Sequence, residues 1–369
     1  MARHWLAFAF CFCVSFLQAQ DKTLRQHGVT VGTLPTGNYN AITDVPGVEV
    51  GHTTLIIGDT VRTGVTAIWP YRGNIFQQKV PAAIYAGNGF GKLAGITQVE
   101  ELGNLETPIV LTNTLNVATA IQALITHTLG QPGNERVGSV NAVVGETNDG
   151  YLNDIRGRHV TEADVHAAIK NADSAQVAQG NVGAGTGTRC FAYKGGIGTS
   201  SRQVEVGSAY YTVGVLVQAN FGGVLRIKGL PIGEALKNFQ QDSDGSCMMI
   251  VATDAPLDSR NLKRLAKRAM LGLARTGGIA SNGSGDYVIA FSTAKSLRIP
   301  YQPPTATQQM RVLHNDLISP LFLGTIEATE EAIYNALFTA SDMAGYRGEV
   351  KELPEKQVLD LLNKHGLRK

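Results

Sequence analysis

Cysteine is scarce in this chain: there are four, at 11, 13, 190 and 247. The first two fall in an N-terminal segment that reads as a leader, which leaves Cys190 and Cys247. Two distant cysteines do not make a disulfide framework, and two buried free thiols are the expectation. Aromatic residues are sparse at 7 %, and charge is nearly balanced at a formal +2. That balance gives no electrostatic case for nucleic acid or for an acidic membrane surface. No apolar run after the first twenty residues is long enough to span a bilayer. The usual hydrolytic signatures are missing as well. There is no G-x-S-x-G elbow, no H-E-x-x-H zinc site, and no histidine placed to complete a Ser-His-Asp set. No metal or organic cofactor is implied.

What the chain does have is 42 glycines set in a sequence that is 43 % hydrophobic. That mixture excludes disorder and suggests tight turns and backbone-lined surfaces. Residues 1–19 combine two basic side chains, a dozen largely apolar residues and a small residue at the end. They are read as a secretory signal peptide, so the expected location is periplasmic or secreted. The remaining 350 or so residues suffice for one large domain. Strands and helices alternate without a regular βαβ period and without a linker, which favours one layered α/β (α+β) domain.

Along the chain, residues 40–57 read as strand–turn–strand around Pro46-Gly47. Strands are expected at 82–85, 140–144, 210–218, 246–253 and 286–292. Helices are expected at 114–129, at 161–172 capped by Thr161, at 258–275, at 326–339 and at 354–364. Two glycine loops invite a nucleotide reading, and neither fits. Around Gly87–Lys92 the first Walker glycine falls on Ala86, and Leu93 stands where Ser or Thr is required. In residues 180–187 Gly183 and Gly185 match a dinucleotide loop, but Thr188 replaces the third glycine, and the stretch before it (171–179) reads as helix. A glycine-lined structural loop is the better account.

Gly-Ser occurs four times, and only Gly245-Ser246 stands where a polar stretch breaks into an apolar strand. A serine there can attack the peptide bond before it, take the acyl group onto its oxygen, and let water complete the cut. The new N-terminus then carries a hydroxyl and an amine on one residue. That amine has a reference pKa of about 7.7–8.0 and can accept the hydroxyl proton without any histidine. On the residues alone, a serine that simply opens a strand remains the commoner situation.

Several blocks in order alter that balance: residues 40–52 (NAITDVPGVEVGH), 144–154 (VGETNDGYLND), 220–222 (NFG), 244–256 (DGSCMMIVATDAP) and 281–293 (SNGSGDYVIAFST). Together they resemble the DmpA-type aminopeptidases, which include the β-peptidyl aminopeptidases, over nearly the whole mature chain. The resemblance implies an αββα four-layer sandwich like that of ornithine acetyltransferase. It also implies a cut between Gly245 and Ser246, giving subunits 20–245 and 246–369 that stay together and assemble into a homo-oligomer. Ser246 is then the nucleophile, and Asn220 presents its amide to the oxyanion. Ser284 hydrogen-bonds Ser246, and Asp286 orients the amine, although some relatives have Glu there. Glu146 takes the substrate ammonium, and Tyr151 contacts the oxyanion or the substrate. Asn88 and Gly89 line the pocket. Cys247 would be second in its subunit, without the free amine, and is read as core.

The expected function is release of small L-, D- or β-amino acids from short peptides, amides or esters. An acyltransferase on the same fold is the first alternative. The ornithine acetyltransferases use threonine as nucleophile, so the serine here favours the peptidase. A non-catalytic binding protein that is never cut is the second.

Overall fold

The computed structural model describes residues 23–238 and 245–368. The expected leader at 1–19 and the polar residues just before Gly245 lie outside them.

Two sheets carry the fold. The larger has seven strands, ordered Gly196–Val206, Ala209–Asn220, Ser246–Thr253, Gly285–Ser292 and Gln78–Gly89, with the short Ile299–Pro300 and Asn104–Leu105 completing it. The smaller has five: Glu49–Ile57, Val61–Trp69, Ile109–Asn113, Val143–Thr147 and Leu93–Ala94. Each sheet has one parallel pair, Ser246–Thr253 with Gly285–Ser292 and Ile109–Asn113 with Val143–Thr147. A helix makes each crossover, Ser259–Arg275 in the first and Val117–Leu129 in the second. A parallel pair needs such a connection, because no tight turn can reverse the chain twice.

The layers follow from side-chain alternation. In Ser246–Thr253 every residue is buried, so its sequence is apolar throughout. Cys247, Met249 and Val251 point into one core, with Leu262, Leu265 and Ala269 of Ser259–Arg275 and Ala332, Ile333 and Leu337 of Ser319–Phe338. Met248, Ile250 and Ala252 point into the other, against Val65, Leu111 and Val144 of the smaller sheet. Val117–Leu129 and Glu162–Lys170 cover that sheet's outer face through Ala120, Leu124, Val165 and Ile169. The result is helices, sheet, sheet, helices: the four-layer αββα sandwich that the resemblance implied.

Close approach between layers is made possible by glycine at Gly198, where a Cβ would stand 2.0 Å from the Ala332 carbonyl of the overlying helix. Buried charge ties the halves of the chain on either side of Gly245 together. Arg202 is fully buried and donates to Glu327 at 3.1 Å and to Glu331 at 2.6 Å, while Arg25 reaches Glu331 at 2.7 Å.

Two expectations change here. Residues 40–57 contain one strand, not two: Ile42–Asp44 is a 3-10 turn. The Asp44 carboxylate draws that turn tight by accepting from the Tyr39 and Ala41 amides and the Ser201 hydroxyl. The stretch 171–179 is not helical either, and Asp173 instead bridges to Val50.

Candidate active site

Ser246 opens its strand, with Asn220 as its antiparallel partner on one side and Gly285 as its parallel partner on the other. It is 8 % exposed and lies in the wall of a cavity of about 460 Å³. Alternation sends its hydroxyl to the face between the sheets, on the side of Met248, whose methyl packs onto Gly145 of the smaller sheet. Glu146 is therefore brought near the serine by sheet-on-sheet packing, from a hundred residues away.

The residue before the serine has no space for a side chain. A Cβ on Gly245 would lie 2.3 Å from the Asn220 carbonyl and 2.6 Å from the Phe221 Cα. The Gly285 amide donates to both the Gly245 carbonyl, at 3.3 Å, and the Ser246 Oγ, at 3.2 Å. One donor thus polarises the carbonyl before the serine and holds the hydroxyl next to it.

Ser284 and Asp286 sit behind this arrangement, 2 % and 1 % exposed. The Ser284 hydroxyl and both Asp286 carboxylate oxygens are buried without a well-formed hydrogen bond among the described residues. The Ser284 hydroxyl and the Cys247 amide lie near enough to the carboxylate to favour its charge. Burial outweighs both and pushes the Asp286 carboxyl up to about 6. Unsatisfied buried polar groups are rare, and such a cluster beside a serine in a cavity wall is a mark of function rather than of packing. Asp286 shares a face with Cys247, opposite to the Ser246 hydroxyl. It therefore lies across the strand from the Ser246 hydroxyl, beside the Cys247 backbone amide. Cys247 is fully buried; burial and the nearby Asp286 push its thiol well above the ordinary range, so it is core. Cys190 is likewise free and buried, so no bridge joins the two.

The Asn220 amide is held at both ends. Its Oδ1 accepts from the Arg189 backbone amide at 2.9 Å, and its Nδ2 donates to the Asn148 carbonyl at 3.1 Å. One Nδ2 hydrogen remains for an oxyanion. Glu146, 4 % exposed, accepts from the Lys92 amide at 3.0 Å and from the Thr114 hydroxyl. Its carboxylate borders the cavity and has lone pairs to spare. Tyr151 also lines the cavity, with the Arg189 guanidinium 4.1 Å from its ring centroid.

Asn88 and Gly89 do not line this cavity; Phe90, Gly91 and Lys92 do. A bulge opposite Asp286 and Tyr287 shifts the register there. The Asn88 amide turns to the loop before the Gly285 strand instead and donates to the Ser281 and Ser284 carbonyls. The loop around Gly183–Gly185 spends its amides on Thr54 and Thr66, as a structural loop does. Asn148, Arg189, Gly285 and Arg347 were not singled out from sequence. Their contributions are backbone groups, or side chains arriving from remote segments, and no local pattern marks them.

Comparison with known proteins gives a consistent picture. The model of peptidase family S58 matches residues 40–351. The β-peptidyl aminopeptidase BapA of Sphingosinicella microcystinivorans is 40 % identical, over 94 % of this chain and 93 % of that one. The PH0078 protein of Pyrococcus horikoshii superposes with a TM-score of 0.89 at 47 % identity, over 94 % of this chain and 99 % of its own. The L-aminopeptidase D-Ala-esterase/amidase of Ochrobactrum anthropi, described as a variant of the Ntn hydrolase fold, gives 0.88 at 37 %, with the same two coverages.

Proposed function

The chain belongs to peptidase family S58, and from that membership we propose that it matures by cutting itself at Gly245–Ser246 and then uses Ser246 as an N-terminal nucleophile. It is a hydrolase, an aminopeptidase acting on peptides or amides. The observation that carries the self-processing reading is the Gly285 amide, shared between the Gly245 carbonyl and the Ser246 hydroxyl.

In the uncut chain Ser246 Oγ adds to the Gly245 carbonyl carbon, and the Gly285 amide donates to the oxygen that gains charge. Collapse breaks the C–N bond, the Oγ proton passes to the departing Ser246 nitrogen, and Gly245 is left as an ester on Oγ. Water hydrolyses that ester to a Gly245 carboxylate and a free Ser246 amine. The amine then takes the Oγ proton during attack on a substrate carbonyl and passes it to the leaving amine; a second water frees the acyl group. Asn220 supplies an oxyanion donor, Ser284 and Asp286 hold the amine, and Glu146 takes the substrate ammonium. Pairing of Ser246–Thr253 with Ala209–Asn220, and of Gly285–Ser292 with Gln78–Gly89, keeps the two products together. We further propose small first residues, β-amino acids and D-alanine among them, export through the leader at 1–19, and assembly into a homo-oligomer.

A denaturing gel of active protein tests the cut. Residues 20–245 and 246–369 should run as chains of roughly 24 and 13 kDa. A single uncut band from active protein would refute self-processing.

Asp286 sets the expected pH dependence. Above about 6 it is a carboxylate, which stabilises an ammonium at residue 246 and raises that group's pKa above its reference of about 7.7–8.0. Activity therefore climbs with pH as the ammonium deprotonates. Asp286→Asn should move the midpoint down by roughly one unit and lower the plateau. A flat wild-type profile from pH 5 to 9, or an unmoved midpoint in the variant, contradicts the assignment.

A further inference from the structure

Among the described residues, the lining of the cavity at Ser246 carries more positive than negative charge: Lys92, Arg189 and Arg347 stand alongside one carboxylate, Glu146. Among the described residues neither arginine has an ion-pair partner. The neighbours that hold Glu146 are a backbone amide and a hydroxyl, so its charge is not neutralised from within the site.

Both arginines are held in place by backbone. Arg189 starts the hairpin Arg189–Cys190 and Tyr193–Lys194, and its own amide is fixed on Asn220. Its guanidinium lies on the Tyr151 ring. Stacking uses the face of the guanidinium and leaves its in-plane N–H groups free for the two oxygens of a carboxylate. Burial against the cavity wall lowers the Arg189 pKa, although the residue as a whole keeps much of its exposure.

Arg347 sits at the tip of a hairpin, Met343–Gly345 and Gly348–Val350, that joins neither main sheet. An isolated two-stranded hairpin is marginal in water, and this one is docked. Its Tyr346 and Arg347 amides donate to the Leu152 and Tyr151 carbonyls at 2.9 and 3.0 Å, and Arg62 Nε donates to the Ala344 carbonyl at 2.8 Å. Gly345 lies so close to Leu152 that a Cβ would stand 2.1 Å from its carbonyl. The docking holds Arg347 at the rim of the cavity, on the same Tyr151 that Arg189 covers.

We propose that Arg189 and Arg347 form a carboxylate subsite on the leaving-group side of Ser246, so that the preferred substrate is a dipeptide with a free C-terminal carboxylate. This rests on the aminopeptidase reading: Glu146 takes the ammonium, Ser246 attacks the single peptide bond, and the arginines take the carboxylate beyond it. A cavity of about 460 Å³ is of small-ligand size, and its opposed charges match a zwitterion with both ends free.

The test compares each dipeptide with its own C-terminal carboxamide, using Ala-Ala and β-Ala-Ala so that the first residue is not decisive. Cut wild-type protein should favour the free acid in kcat/KM by at least about tenfold at low salt, and less as salt rises. The acid-to-amide ratio should fall towards one in Arg189→Met and Arg347→Met, and furthest in the double variant. Because the ratio is internal to each preparation, a reduced folded fraction cancels from it. If a variant fails to mature, the wild-type ratio and its salt dependence decide. A wild-type ratio near one, or a preference that survives the double substitution, overturns the subsite and leaves the peptidase intact. Hydrolysis of neither form, nor of any simple aminoacyl amide, overturns the aminopeptidase reading and the subsite with it.

Discussion

Ser246→Ala leaves the chain in one piece on a denaturing gel, and its kcat/KM falls by at least about 10⁴-fold against any aminoacyl amide. Both losses come from one atom. Ser246 stands both beside the Gly245 carbonyl, on the Gly285 amide that the two share, and in the cavity wall, so on the proposed reading one atom attacks first its own chain and then the substrate. The substitution is gentle to the fold. The Gly285 amide loses Oγ but keeps the Gly245 carbonyl at 3.3 Å, so no buried donor is orphaned. The strand hydrogen bonds on both sides do not involve the side chain. Circular dichroism and Tm should therefore match those of uncut wild-type chain, and Ser246→Thr, which keeps a hydroxyl, should still be cut. If Ser246→Ala yields the two fragments, or keeps activity within tenfold of wild type, the nucleophile is elsewhere.

How far the fold could be read from sequence depended on whether an element's reasons were local. Thr161 caps its helix as expected, by accepting from the Asp164 amide three residues on; Asp258, read as the first helical residue, is instead the cap and accepts from the Asn261 amide. The helix expected at 114–129 ends at Leu129, with Gly130 as its C-cap. The strand Gly196–Val206 was not identified, because alternation is confined to its last four residues, QVEV. Residues 199–202 are polar yet buried, and are satisfied from far away: Thr199 by the Ile42 amide, Ser200 by Asn40, the Ser201 hydroxyl by Asp44, Arg202 by Glu327 and Glu331. Ser319–Phe338 begins seven residues before its expected start. Pro320 falls in its first turn, where proline is tolerated, and Gly324 lies under Val204, but both read as breakers in sequence.

The site divides along the same line. Ser246 stood out because a polar stretch meets a strand at that residue. Ser284 and Asp286 followed from the resemblance; what sets them apart physically, a buried hydroxyl and carboxylate without proper partners, exists only in three dimensions. Arg347 lies 101 residues beyond Ser246 and reaches the cavity through a docked hairpin that no motif announces.

The second large effect is expected at Asn220. Its amide contributes only if its orientation is fixed, and the fold fixes it by an unusual turn. Phe191 and Ala192, neither of them glycine, both adopt positive φ, 51° and 67°, at the tip of the hairpin that begins with Arg189. Such backbone costs of order 1–3 kcal/mol per residue and persists where surroundings impose it, commonly at functional sites. Here Phe191 is locked by its backbone N–H, which donates to the Phe221 carbonyl at 2.8 Å, and by edge-on packing against the Phe221 ring. The outcome is the Arg189 amide aimed at Asn220 Oδ1, which turns Nδ2 towards the carbonyl of Asn148, itself a residue of the cavity wall. Asn220→Ala should lower kcat by about 10²–10³-fold with KM little changed, as when one oxyanion donor is lost. It also orphans the Arg189 amide and the Asn148 carbonyl, so Tm falls too, by an amount matching about 1–3 kcal/mol per group. Asn220→Asp separates the two effects. It restores an acceptor for the Arg189 amide but sets a negative charge where the oxyanion develops, so kcat should fall at least as far as in the alanine variant. A loss confined to KM, or an aspartate variant with more activity than the alanine one, would show that Asn220 is a structural turn residue and that the oxyanion is held by another donor.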